Sequence, residues 1–433
     1  MTEITQHYVD QFNAASAGLA GRGLPWLDDQ RQAAIELFAK SGFPGQYEED
    51  WRYTPLKPVI GKMLHVKVDS EIADTDISKD LITGLDAYRL VFVDGRFSPK
   101  YSDTSGLRDS IVMNSFEQSV VRNPELFTEA MRSEVPLSHG FAALNVAFST
   151  DGYVIEVAEN VKLDKPVEII FIGVDSNLAT QPRNIVHMGK SSQAIIIERY
   201  VSSKQTGAVV NSTSRITLDD SAKLGYYLVQ TQANDASQIT SVDVRQGRSS
   251  WFGCYTLTLG GQLVRNNLRV SLQEEGAHCD MLGLYNTGGK QHVDNHTTVV
   301  HAAPHCTSRE LYKGVLDQRS RAVFHGRIKV EQGAQKTDAS QSNNNLLLSS
   351  NAEVDTKPQL EIYADDVKCA HGATIGQMDQ NSLFYLRSRG IDEQDARALL
   401  TFAFLNEVLD EIEVEPLRHS MESFLAERLL ENA

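Results

Sequence analysis

Long hydrophobic runs, cysteines and basic charge are all scarce in this chain. No stretch of 18 apolar residues occurs, and strongly apolar runs such as 167–174 are strand-sized, which excludes a transmembrane helix. Four cysteines in 433 residues (Cys254, Cys279, Cys306, Cys369) are too few and too scattered to frame a disulfide scaffold. With 57 acidic against 41 basic residues the net charge is −16. Nucleic acid and anionic membranes both demand a basic footprint, so neither is expected as a partner. The opening residues Met1–His7 lack the basic and apolar segments of a signal peptide. The expectation is a reduced, cytoplasmic protein with free thiols.

Catalytic motifs are also missing. Gly283–Lys290 resembles a phosphate-binding loop, but an extra glycine precedes Lys290, and Gln291 stands where magnesium needs a hydroxyl. No Gly-x-Ser-x-Gly elbow, Cys-x-x-Cys pair or dinucleotide fingerprint occurs. ATP hydrolysis is not expected, and the chain reads as a non-enzyme.

With 41% hydrophobic and 23% charged residues, the composition supports a large core, and the length implies two or three domains. Residues 1–150 read as mainly helical. Ile4, Tyr8 and Phe12 recur at helical spacing, and a second helix through Ile35 and Phe38 should stop at Ser41-Gly42, before Pro44. Tyr88–Val93 is a β-rich run, and Pro124–Met131 suggests another helix. Residues 151–378 read as short β-branched runs separated by polar turns. Ser192-Gln193-Ala194, Asp220-Ser221-Ala222, Arg248-Ser249-Ser250, Glu275-Gly276-Ala277 and Ser320-Arg321-Ala322 share one turn signature, and the first four lie 27–28 residues apart. That period favours a β-solenoid over a sandwich. Residues 379–433 return to helix. Asp392 is the candidate N-cap; Ala398, Phe402, Leu405, Leu409 and Ile412 form one apolar stripe, with Leu400, Phe404 and Val408 beside it. Such a wide apolar arc touches either this domain alone or a second protein as well.

Histidines crowd the second half, but most are isolated. Neighbours in a strand point to opposite faces, so neither His278-Cys279 nor His305-Cys306 forms one ligand pair. Cys254, Cys279 and Cys306 read as small buried apolar residues. Cys369-Ala370-His371 differs, because an extended backbone points both side chains to one face. A thiolate beside an imidazole suits iron, zinc, copper or an iron–sulfur cluster, yet two ligands do not complete a site. The rest must come from afar in the fold or from another chain.

Three segments carry a family resemblance over nearly the whole chain: Glu49-Asp50-Trp51-Arg52-Tyr53-Thr54-Pro55-Leu56, Phe141-Ala142-Ala143-Leu144-Asn145, and Ala364 through Gly376 continuing to Leu383–Ile391. The chain resembles the SufB/SufD family of iron–sulfur cluster assembly subunits. Gly372, where the B branch typically has a glutamate, favours the D branch. The resemblance implies a right-handed parallel β-helix between helical N- and C-terminal domains, paired with SufB through the β-helices. It implies SufC, an ABC-type ATPase, docked on the C-terminal helices, here through Phe402, Phe404, Leu405, Val408 and Leu409. It implies a transient cluster at the interface with SufB, with His371 and its neighbour Cys369 contributing and nothing tightly bound to the isolated chain. Reduced flavin is associated with the family's complex, although no flavin motif is evident, and an isolated chain is a candidate homodimer. The alternatives are a purely structural brace for SufB, a β-helix enzyme acting on polysaccharide, and a self-contained metalloenzyme using His292, His296 and His301.

Overall fold

A computed structural model describes residues 1–66, 74–122, 140–202 and 204–431. The helix expected at Pro124–Met131 lies outside them. Two ten-stranded sheets carry the β region, with successive strands alternating between them in a parallel solenoid of about eight turns. In one sheet the strands from Val167–Ile172 to Lys368–Gln377 pair in parallel, one coil apart. The second sheet follows the same rule as far as Glu353–Ile362.

One turn sets the period. Ser191, Ser221, Ser249, Gly276, His305 and Lys336 all have φ between 52° and 73°. Each donates its N–H to a carbonyl of the next coil: Asp220, Arg248, Glu275, Pro304, Gln335 and Asp366. Left-handed backbone costs a non-glycine residue roughly 1–2 kcal/mol. A hydrogen bond worth about 1 kcal/mol at each rung largely offsets that cost. The first four turns singled out in the sequence belong to this ladder. Ser320-Arg321-Ala322 does not; it closes the opposite turn, where Gln318 is the left-handed residue. His305 lies in a turn as well, so its separation from Cys306 comes from the bend and not from strand alternation.

Inside the solenoid, alternate residues stack in rows. Gly283 stands beside Tyr312, and Tyr285 beside Gly314. A Cβ on Gly314 would lie 2.0 Å from the Tyr285 ring, and one on Gly283 would lie 2.1 Å from Tyr312. Each glycine therefore makes room for a buried aromatic ring on the neighbouring coil. The apparent phosphate loop is thus the strand His278–Thr287 and the turn after it.

Helices close the sides. The helix Glu3–Ala15 is capped by Thr2, and Pro25–Ser41 ends at Gly42 as the sequence indicates. The helix Gly140–Phe148 docks through buried Asn145, whose amide donates to the carbonyls of Pro182 and Asn211, both at 2.8 Å. The segment Glu49–Leu56 is clamped against the outer face of the second sheet. Trp51 stacks on Phe141 at 5.2 Å, and the Arg265 guanidinium lies 3.8 Å over the Trp51 ring. Arg265 also donates to the Asp50 carbonyl and pairs with buried Asp294 at 2.6 Å, while the Thr54 hydroxyl donates to Asp294. Burial alone would raise the Asp294 carboxyl. Arg265 and His296 reverse that and hold it well below the usual carboxylate range.

The C-terminal helices Gln380–Ser388, Glu393–Leu409 and Glu415–Glu431 pack on the outer face of the first sheet. Asp392 caps the middle helix, accepting from the Asp395 N–H. Leu405, Val408, Leu409 and Ile412 are sealed against Tyr227, Tyr255, Leu257 and Leu284. Burial of one such leucine is worth roughly 1.5–3 kcal/mol. This corrects one expectation: Leu405, Val408 and Leu409 serve this chain's own sheet and are not open to a partner. Phe402 and Phe404 are half-buried at the edge of the same cluster. Among the described residues, no helix is long and apolar enough to cross a membrane.

Candidate functional site

The two ends of the solenoid differ. At the start each sheet finishes on an antiparallel strand, Arg96–Phe97 in one and Ile111–Ser115 in the other. At the far end the sheets finish on Lys368–Gln377 and Glu353–Ile362, each with one edge that is free among the described residues. Nine of the ten residues in Lys368–Gln377 are exposed or nearly so, Ile375 at 53%. The N–H of Lys368 donates to the Thr337 carbonyl. Alternation then turns the N–H groups of Cys369, His371, Ala373 and Ile375 towards the open edge, a ready template for another strand.

Cys369 and His371 lie on this strand, as the sequence indicates, and on one face of it. Their register partners Ala339 and Gln341 are both buried inward-facing residues, so Cys369 and His371 continue the interior rows onto the last, uncovered coil. Ala373 and Ile375 extend the same row above Asn343 and Asn345. Those asparagines form a buried network with Tyr285, whose hydroxyl donates to Asn345 at 2.5 Å; Asn345 reaches on to the Thr374 carbonyl. The network fixes the last strand from beneath, and sequence reasoning missed it because Asp338–Leu347 is too polar to resemble a buried strand.

The two side chains differ in state. His371 is exposed, whereas Cys369 is half-buried against a small apolar cluster around Val330 and Ala339. Burial, helped by the Asp338 carboxylate, pushes the Cys369 thiol up. Among the described residues, neither side chain has a hydrogen-bond partner. A thiol must lose its proton to bind metal, so Cys369 is a weaker donor in the free chain than His371.

The other cysteines are free and fully enclosed, and burial pushes the Cys254 thiol up to about 12. Inert packing is their role. The trio His292, His296 and His301 is not brought together. His301 points into the solenoid, where its Nε2 meets the Ser308 hydroxyl at 2.9 Å, while His292 and His296 belong to the outward-facing set of the same strand. His278 bonds the Asp280 carboxylate at 2.8 Å. The interior also holds Glu310, in register between Met281 and Gln341. Burial pushes its carboxyl up to about 7, although the Thr297 hydroxyl donates to it.

A parallel solenoid with an open end strand carrying Cys369 and His371, and with buried internal thiols, defines a β-solenoid scaffold. Comparison with known proteins agrees. Residues 171–404 match the family described as SUF system FeS cluster assembly, SufBD core domain, and residues 2–169 match the SufBD protein N-terminal region. An iron–sulfur cluster assembly SufBD family protein of Synechocystis is 33% identical over 90% of this chain and 89% of its own length. The iron–sulfur cluster assembly protein SufD of Escherichia coli is 31% identical over 92% of both chains. A chloroplastic Arabidopsis thaliana protein is 25% identical over 90% of this chain and 83% of its own. The chain belongs to the SufB/SufD family of iron–sulfur cluster assembly proteins and is of the SufD type.

Proposed function

We propose that this chain is one half of a composite pocket for nascent iron–sulfur clusters, in a complex with SufB and SufC. The observation that carries the reading is the bare end strand Lys368–Gln377, which sets Cys369 and His371 in one row beside an unpaired backbone edge. SufB pairs with that edge and closes over the row. His371 lends an imidazole and SufB supplies thiolates; Cys369 joins once the approaching metal displaces its proton. Such mixed ligation across two chains holds a cluster only while the chains stay together, and release is what an assembly site requires.

SufC docks on the C-terminal helices, on the side turned away from the sheet. Phe402 and Phe404 border that side, and Leu399, one turn before Phe402, is 52% exposed. Because the buried row of the same helix is locked to the solenoid, a pull by SufC is transmitted to the sheet that ends at His371.

Co-expression with SufB and SufC, followed by anaerobic purification, tests the reading. With His371→Ala the three proteins co-purify at unchanged ratio and cluster absorption falls several-fold. With Cys369→Ala the loss is smaller. Full cluster content in the His371→Ala complex would reduce this chain to a brace for SufB.

A further inference from the structure

A second constellation lies on the other sheet, where the clamped segment Glu49–Thr54 crosses its outer face beside the terminal strand Glu353–Ile362. His296 and His325 occupy the same position on neighbouring coils, in direct register. Their ring centroids are 4.9 Å apart, edge to face. Asp50 comes down from the clamped segment, and one ligand atom each of Asp50, His296 and His325 lie within 4.8 Å of one another. The three line a cavity of about 250 Å³.

We propose that Asp50, His296 and His325 bind one first-row divalent transition ion of the Zn²⁺, Co²⁺ or Fe²⁺ type. Two imidazoles and a carboxylate are the donors such ions prefer, and the set leaves positions open for water. The surroundings fit. Asp294 Oδ1 lies 3.0 Å from His296 Nε2, so a buried carboxylate engages one ring nitrogen and leaves the other for an ion. Asp294 is itself fixed by Arg265 and Thr54. His325 Nε2 and the Thr356 hydroxyl are buried in the same place without hydrogen-bond partners, the condition expected of groups awaiting a ligand. Of the two cations on the cavity wall, Lys357 is paired with Glu49 at 2.7 Å, and the Arg52 guanidinium lies over the Tyr53 ring, while Glu49 and Asp355 add carboxylates to the same wall. Donors about 2.1 Å from one ion sit roughly 3.4 Å apart, so the set must contract on binding. Asp50 is the exposed member of the set, so the contraction falls to its side chain.

An ion here would pin the N-terminal segment to the solenoid some 240 residues away in sequence. The pin is separate from the end-strand pair and does not depend on SufB.

The test uses the full chain carrying Cys369→Ser and His371→Ala, so that the end-strand pair cannot bind. Anaerobic titration with Co²⁺, read by visible absorption and calorimetry, gives one ion per chain with the bands of a nitrogen–oxygen site. His325→Ala removes that binding. Asp50→Asn, a change at an exposed side chain that leaves the far-ultraviolet spectrum unaltered, weakens it about tenfold or more. Zn²⁺ raises the melting temperature of the parent more than that of Asp50→Asn. No saturable binding in the parent would overturn the proposal, and so would equal affinity in the parent and Asp50→Asn.

Discussion

His371 stands in register with Gln341, the last buried residue of its row. One coil separates a side chain sealed in the solenoid from one open to solvent. The proposed pocket would therefore be a continuation of the core row that runs through Met281, Glu310 and Gln341.

Pairing at this edge relies on backbone groups, so it is breakable without touching a ligand. Ala373→Pro removes an N–H from the open edge and leaves the bonds to the preceding strand intact. Association with SufB drops at least tenfold by size-exclusion and light scattering, and the melting temperature of the chain alone moves by no more than a degree or two.

Thiol chemistry separates the end strand from the interior. In the native chain one cysteine, Cys369, reacts with a thiol reagent; in denaturant all four react. Because burial raises the Cys369 thiol, its rate still climbs between pH 8 and 9. Alkylation at one site that mass spectrometry assigns to Cys254, Cys279 or Cys306 would contradict the burial pattern.

Glu310 makes stability depend on pH. Its carboxyl titrates near 7 in the fold and near 4.5 when unfolded, so the folded state binds the proton more tightly between those values. Its contribution is then fully favourable below about pH 4.5 and declines as pH rises to 7. At pH 8 the ionised, buried carboxylate costs up to about 3 kcal/mol. Glu310→Gln accordingly raises the melting temperature at pH 8 by a few degrees and leaves it almost unchanged near pH 5.

The glycine–tyrosine pairs test the packing. Gly314→Ala forces a methyl group into the Tyr285 ring and should cost about 1–3 kcal/mol. Tyr285→Phe costs about 1–2 kcal/mol, because it removes the bond to Asn345 and the one accepted from Asn343. The double variant remains at least as unstable as Gly314→Ala, because the nearest clashes are with ring carbons that phenylalanine keeps; urea unfolding measures both.

Much of this was legible in the residues. The period of the turns gave the solenoid because one left-handed residue per coil must be small, polar or glycine, and Ser221, Ser249 and Gly276 show it directly. Alternation along a strand put Cys369 and His371 on one face. The direction of the C-terminal helix was not legible: the wide apolar arc announces two surfaces, but spacing cannot tell which one faces home, and Leu405, Val408 and Leu409 turned inward. Nor could spacing reveal that Asp50 meets His296 and His325, since that contact follows from where Trp51 and Arg265 clamp an otherwise irregular segment.

Hydrogen exchange across residues 368–377, alone and in complex with SufB, tests the central claim most directly. The amides of Cys369, His371, Ala373 and Ile375 should exchange rapidly in the free chain and become protected by at least a hundredfold in the complex. Equal exchange in both states would show that SufB binds elsewhere and that the row ending at His371 remains open.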